Sequence, residues 1–578
     1  MATSAASLIR GRRECVVTVV LALVCSFFLV VGYAVSHDAI AHADVLSFVI
    51  SLCVFFLVAV LFFAVYTVMW RLLDAFSQKR ILGSSGLSAR LDGVMNGRYA
   101  WLGCWALLLI CWLPVLLAAW PGFYCYDTDA VARWAVGNEC DSNQPFFWAF
   151  CLGVVFRVAW ALGFSSNAAI IVISVLTGLL LAALLSRIVL CVGVKYGPGF
   201  AIFAFLFFVL NPLIPCFAWG GVKDVHFAIA FVALLGCLIA PRKGARDWVV
   251  VIALEVICCL LRNNVSFALL AALPFVWVLL SERRKVYAVG LAVAVACAGL
   301  VGGPVARGLS ESITPSTSLM TMSSVPTQHL AYIWNSDATS EEDRQVILGL
   351  VNNANDQQIA DSITALERNV PVVTDVSRGA FMTVLMLEPD PARFYAEYLP
   401  LAARHPRELA DAWLHLTYES WYPFSTIDAY NNDALGAPMG YDKTETSVFA
   451  CMTEEPGVAN SKLPALYDAL WKISRYNVLQ SNPFTAWLIS VPFYVWCALI
   501  ATARAIIVRS RLRAPCALII LLLLTFALGP CVMTRYYLPL MLAFPLMVCM
   551  FLDGGARLAP AKAAKVPRKR GRHGVENA

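Results

Sequence analysis

Apolar positions along this chain come in long unbroken runs rather than in alternating or one-faced stripes. They fill residues 15–35, 46–69, 100–120, 167–190, 198–216, 222–240, 247–262, 264–281, 286–305, 484–503, 514–532 and 536–553. About 20 residues, rising roughly 1.5 Å each, cross the hydrocarbon of a bilayer. The pattern predicts an all-α polytopic membrane protein with about 12 transmembrane helices. One further apolar run, 146–163, carries Arg157 at its middle. A charge there costs about 2.5–3.5 kcal/mol at a bilayer centre, so this run is expected to lie in the interface without crossing.

Between 306 and 483 the pattern turns polar and amphipathic, which predicts a mainly helical domain inserted before the last three spans. Ser340 ahead of Glu341, Glu342 and Asp343 reads as an N-cap with an acidic first turn. Pro391 and Pro406 each fit a first helical turn, with His405 as a capping residue. Leu409, Trp413, Leu416 and Ser420 share one face at helical spacing. The chain thus divides into five parts. Two spans and a loop (1–99) precede a transmembrane module (100–305) with its first loop at 121–166. The inserted domain (306–483), three final spans (484–553) and a basic tail (554–578) follow.

Composition agrees with a membrane solvent: 60% of residues are hydrophobic and only 14% charged, where soluble domains carry about 25% charge. Charge then sets orientation. Basic residues cluster at Arg10 to Arg13, Arg71 to Arg98, Arg187 to Lys195, Arg242 to Arg246, Arg283 to Lys285, Arg504 to Arg513 and in the tail. All of them fall on one side only if 146–163 does not cross. The positive-inside rule then places both termini in the cytoplasm of a cell membrane. The net charge of +6 resides in these loops and the tail, which excludes nucleic-acid binding as its reading. The first run is too long for a signal peptide and is read as a retained span. The nineteen cysteines fall mostly inside apolar runs, and neither they nor His329, His405 and His415 form a metal framework.

Candidate chemistry gathers at span boundaries that this parity puts outside. "YDTDA" supplies Asp127 and Asp129, "GGVKDVHF" supplies Lys223 and Asp224, "RNN" supplies Arg262, Asn263 and Asn264, and "TRYYLP" supplies Arg535. Carboxylates serve as general bases or orient a sugar hydroxyl. Guanidinium and ammonium groups suit phosphate. Together they read as chemistry on a phosphorylated lipid. Polar residues at span ends are also ordinary anchors, and that reading stands for each one alone. Cys125 and Cys140 flank the acidic motif, either as two thiols or as a disulfide that contributes about 3 kcal/mol. Trp421 and Tyr422, with Tyr430 and Asp428, form either a sugar-stacking surface or ordinary packing.

"PGFYCYDTDA", "QPFFWAFCLGVVFRVAWALGFSSNAAI", "KDVHFAI" and the final "RYYLP" resemble, in kind and order, the C-type (GT-C) multi-pass membrane glycosyltransferases. More narrowly, they resemble the bacterial multi-pass proteins related to those enzymes. The resemblance covers roughly 100–305 and 484–553, plus "HPRELADAWLHLTYESWYPF". It implies a polyprenyl-phosphate-linked sugar as donor and a cell-envelope glycan, lipid or protein as acceptor. Asp127, with Asp129 competing, takes the first-loop acidic position, Asp224 the second, and Arg262 the lipid-phosphate cation. Gln144 stands before Pro145 where relatives often have His. Gln cannot shuttle a proton, so the position is one for binding substrate. No cofactor is implied, and a divalent metal is not indicated.

The leading expectation is a glycosyltransferase on the extracytoplasmic face, with the donor phosphate against Arg262, Lys223 or Arg535. A lipid-linked glycan flippase and a scaffold with a partner-binding outer domain are the alternatives. The flippase would show internal pseudo-symmetry, and the two halves of this chain do not match. Reporter fusions placed after Arg133 and after Gly163 should both report the extracytoplasmic side. A cytoplasmic signal from the second would overturn the interface-helix assignment and the shared outer site together.

Overall fold

In the computed structural model the apolar runs are helices. The structure describes residues 2–37, 45–79, 95, 97, 99–123, 128–141, 144–239, 244–262, 264–279, 284–314, 324–350, 360, 363–364, 366–367, 391–425, 461–475, 478–480, 482–510, 512–529 and 532–553. Among these, six helices are long and apolar enough to cross a membrane: Gly11–Ser36, Val45–Ala75, Ala100–Ala118, Ser166–Tyr196, Lys285–Leu309 and Thr534–Leu552. Phe146–Ala161, Pro198–Leu210, Val265–Phe275, Val491–Ile507 and Arg513–Phe526 are shorter apolar helices. The protein is an all-α membrane protein.

In chain order the helices are α1 (Ala2–Ser36), α2 (Val45–Lys79), α3 (Ala100–Ala118), α4 (Thr128–Gly137), α5 (Phe146–Ala161) and α6 (Ser166–Tyr196). Next come α7 (Pro198–Leu210), α8 (Leu213–Ala218), α9 (Lys223–Ile239), α10 (Ala245–Leu261), α11 (Val265–Leu279) and α12 (Arg284–Leu300). The polar region holds α13 (Ser324–Trp334), α14 (Glu341–Leu350), α15 (Pro391–Arg404), α16 (Pro406–Thr417) and α17 (Pro464–Arg475). The chain returns to apolar helices with α18 (Val491–Ile507), α19 (Arg513–Phe526) and α20 (Leu538–Leu552).

The run expected as one span over 198–216 is broken. Pro212 removes a backbone donor and ends the register, and Asn211 holds the break. Its Oδ1 accepts from Leu213 N at 3.0 Å and its Nδ2 donates to the Leu488 carbonyl at 2.5 Å. The span expected from 484 starts only at Val491, after a 3-10 turn over Ala486–Leu488. After Leu300 the chain continues through a π-turn, Val301–Val305, where Gly302, Gly303 and Pro304 interrupt regular winding.

Most buried apolar residues belong to one core shared by α3–α12 and α18–α20. The N-terminal hairpin of α1 and α2 docks on α18 through Leu21, Cys25, Tyr66, Trp70, Ala503 and Ile507. Arg504, fully buried in that seam, donates Nη2–H to Asp74 Oδ1 at 2.6 Å. Removing Asp74 would leave the buried Arg504 charge without its carboxylate, which is destabilising.

The polar region has its own core, including Leu330, Ile333, Ile347, Phe394 and Leu401. Pro391 and Pro406 open α15 and α16, as expected. Ser340 Oγ accepts from Asp343 N at 3.1 Å and donates to Asp343 Oδ2 at 2.8 Å, as an N-cap should. His405 occupies the capping position of α16 but its ring does not cap that helix. It turns instead to Asp343 Oδ2 at 3.1 Å, where Arg404 also donates to Oδ1 at 2.5 Å. Two side chains at the end of α15 thus find a better acceptor across the domain than any local carbonyl. His329 joins the same network. Its Nε2 donates to the His405 carbonyl at 2.9 Å, which leaves Nδ1 to accept from the Tyr398 hydroxyl at 3.1 Å. Burial holds its pKa down at about 4, so the ring is neutral at physiological pH.

Burial alone would raise the Asp343 carboxyl, but hydrogen bonds from Arg404, Ser340 and His405 outweigh it and hold it at about 2. A depressed carboxylate stabilises the fold fully above its unfolded pKa of about 3.9, and the contribution is lost as pH falls through the folded value. Hydrogen exchange, corrected for intrinsic rates, should show α14–α16 losing about 2 kcal/mol of protection between pH 5 and pH 2. Asp343→Asn should flatten that dependence. Protection in the wild type that does not change over this range would refute the role.

Candidate functional site

The boundary motifs that lie far apart in sequence meet in space. The first contact is between backbones. Phe123 N donates to the Trp219 carbonyl at 2.9 Å, and Gly221 N donates back to the Phe123 carbonyl at 3.4 Å. Gly122 makes this approach possible: it holds φ +148°, and a Cβ there would collide with the Ser174 hydroxyl. A few residues on, the buried Thr128 opens α4 with its methyl group near Gly221. Trp148 of α5 donates Nε1–H to the Gly221 carbonyl at 3.0 Å, and Gln144 Oε1 accepts from Lys223 Nζ. The 121–166 loop therefore grips the 219–223 segment on both sides of the "YDTD" motif.

Immediately after that segment comes Asp224, the second residue of α9, which is completely buried. Arg262, at the α10–α11 junction, donates Nη1–H to Asp224 Oδ1 at 2.5 Å. Arg535, in the 3-10 turn Thr534–Tyr537 before α20, brings Nε to 3.7 Å from Asp224 Oδ2. Arg262 is further held by Nε–H donation to Asn264 Oδ1 at 3.0 Å, and Asn264 Nδ2 donates to Thr525 Oγ1 of α19 at 3.2 Å. Aromatic rings wall the guanidinium. It lies 4.5 Å from the Tyr536 ring centre, 5.0 Å from Phe526 and 5.6 Å from Phe227. Tyr536 also faces Arg535 at 5.6 Å. Cations over aromatic faces in a dry setting attract by about 0.5–2 kcal/mol each.

One carboxylate thus stands between two guanidinium groups at a point where the ends of α9, α10, α11, α19 and α20 converge. Asp224 orients both arginines. Deeply buried and ion-paired, it is badly placed to take a proton from a substrate. The pair of arginines carries more positive charge than Asp224 neutralises, which suits an anion such as phosphate.

The other expected residues are distributed as follows. Asp127, Asn263 and Cys125 lie outside the described residues, as does the side chain of Asp129, which falls on α4. Cys140 is buried in strand β1 (Glu139–Asp141), which pairs in parallel with β2 (Ser312–Thr314), Cys140 opposite Ile313. Trp421 and Tyr422 are buried against the N-terminal hairpin rather than presented for sugar stacking. Trp421 stacks on Phe28 with ring centres 5.2 Å apart and accepts at its carbonyl from Trp496 Nε1 at 2.9 Å. Tyr422 occupies the space left by Gly32 of α1. Among the described residues, no group of three His, Cys, Asp or Glu is arranged to hold a metal ion.

Arg157 has a role that apolar patterning did not reveal. It caps the C-terminal end of α4, donating Nε–H to the Ala135 carbonyl at 3.0 Å and Nη2–H to the Trp134 carbonyl at 2.8 Å. Its guanidinium lies 4.3 Å from the centre of the Trp134 ring. A cation at the negative end of a helix is favourable, and here it fixes the helix that follows Asp127. Tyr536, Phe526 and Thr525 were also not singled out from sequence. The one available signal was Tyr536 beside Arg535 in "TRYYLP".

No curated protein and no solved structure matches this chain. Residues 140–570 match a protein family, a stretch that holds Gln144, Lys223, Asp224, Arg262 and Arg535 and begins after Asp127 and Asp129. With most of its length inside that match, the chain belongs to the family of unknown function DUF6020.

Proposed function

We propose that the protein is a membrane glycosyltransferase that moves a sugar from a polyprenyl-phosphate-linked donor to an acceptor hydroxyl on the extracytoplasmic face. The topology that goes with this reading has twelve crossings and both termini in the cytoplasm. The observation that carries it is the pair of guanidinium groups of Arg262 and Arg535 held around Asp224, with the 121–166 loop clamped beside them.

In this reading the donor phosphate rests against Arg262 and Arg535, with Lys223 at the edge of the site. Asp127, or Asp129 in its place, orients the acceptor hydroxyl and takes its proton. The acceptor oxygen bonds to the anomeric carbon as the bond from that carbon to the phosphate oxygen breaks. Polyprenyl phosphate leaves with the extra negative charge, which the arginines stabilise more strongly than the ground state. Asp224 is the counter-ion that keeps those arginines aimed. Gln144, bonded to Lys223, couples the carboxylate-bearing loop to the phosphate end.

Purified protein incubated with labelled polyprenyl-phospho-sugar and cell-envelope acceptors should transfer the label. Asn resembles Asp in size but does not accept a proton at neutral pH. Asp127→Asn should therefore retain folding and donor binding while turnover falls about 10²–10⁴-fold. Arg262→Lys keeps the charge beside Asp224 but loses the fork, so donor affinity should fall. Transfer unaltered in both Asp127→Asn and Asp129→Asn would refute the assignment, and lipid movement without transfer would favour a flippase.

A further inference from the structure

The far end of α19 from Thr525 and Phe526 carries a second gathering of arginines. Arg13 of α1 donates Nη1–H to the Ile507 carbonyl at 3.3 Å, at the end of α18. Arg513, the first residue of α19, donates Nε–H to the Ser510 carbonyl at 3.1 Å. Arg509 lies in the turn that joins α18 to α19, and both Arg509 and Arg513 are charged neighbours of Arg13. Three guanidinium groups, one from α1, one from the turn itself and one from the start of α19, therefore gather here.

Several features of this turn favour an anion. Of two carboxylates nearby, Asp74 is neutralised by Arg504 at 2.6 Å, while Asp553 accepts from the Ser510 hydroxyl at 2.5 Å and keeps its charge. Among the described residues Arg13, Arg509 and Arg513 form no ion pair. The N-terminus of α19 has no side-chain cap and no acidic residue in its first turn, so its positive end adds to the field. Arg509 adopts φ +52°, a conformation that Gly or Asn takes more cheaply. That conformation closes the C-terminus of α18, with Arg509 N donating to the Ile506 carbonyl at 3.3 Å and Ser510 N to the Ala505 carbonyl at 3.0 Å.

We propose that Arg13, Arg509 and Arg513 bind a phosphate-bearing anion. The site lies where the apolar stretch of α1 begins at Gly11, α18 ends at Ile507 and α19 begins at Arg513. That is the depth of a bilayer's headgroups, and the phosphodiester of an anionic phospholipid is the occupant that this placement supplies. The inference does not depend on the glycosyltransferase reading, because it uses none of the same residues.

The test uses the full-length protein with dioctanoyl phosphatidylglycerol, dioctanoyl phosphatidylcholine and inorganic phosphate, read by native mass spectrometry. Phosphatidylglycerol should be retained in preference to phosphatidylcholine. Removing each arginine should weaken that retention about fivefold, and Arg13→Gln/Arg509→Gln/Arg513→Gln together by roughly 100-fold. Arg509→Gly removes charge while easing the backbone, so it should fold as well as the wild type and still bind less. It decides the matter should the triple variant fail to fold. Displacement of the lipid by millimolar inorganic phosphate would assign the site to free phosphate, and no displacement assigns it to the lipid headgroup. Equal retention of the two lipids, or unchanged retention in Arg509→Gly, would overturn the proposal.

Discussion

Asp224 is a carboxylate with no access to solvent at the first turn of an apolar helix. Burying such a charge without partners costs several kcal/mol, so the fold must deliver cations to it. It draws Arg262 from the α10–α11 junction and Arg535 from the turn before α20. Those two residues are far from each other and from Asp224 in the chain. Once they are bound, the ends of the helices that carry them have little freedom. Asn264 and Thr525 extend the constraint to α19, and the Tyr536 ring lies against both guanidinium groups.

The 121–166 loop is fastened to the same place by a different means. Backbone bonds between Phe123 and the 219–221 segment fix one end, and Trp148 and Gln144 fix the other. Arg157 then anchors the far end of α4. The segment bearing Asp127 is thereby tied on both flanks to the strand of chain that leads into Asp224.

Much of this was legible in the sequence where the physics is local. Long apolar runs became helices, Ser340 capped α14, and Pro391 and Pro406 opened their helices. The polar motifs at run boundaries contain Asp224, Arg262 and Arg535, which the structure brings together. What stayed hidden depended on partners distant in sequence. Hydropathy gave Arg157 a cost but not the helix end that satisfies it. His405 looked like a cap because Pro406 follows, yet Asp343 lies across the domain and outcompetes the local backbone. Trp421 and Tyr422 have the composition of a sugar platform, and only the N-terminal hairpin shows what covers them. The break at Asn211 was visible as a proline, but hydropathy averaged across it.

The proposed function requires the arginine pair around Asp224 to read the phosphate of a polyprenyl lipid. The most direct measurement compares equilibrium binding of polyprenyl monophosphate with that of the uncharged polyprenol of equal chain length. If phosphate is recognised there, the monophosphate binds at least about tenfold more tightly, the worth of one charge-assisted contact. That preference then shrinks in Arg262→Lys and persists in Arg509→Gly. Equal affinity for the two lipids, or a preference indifferent to Arg262, would contradict it.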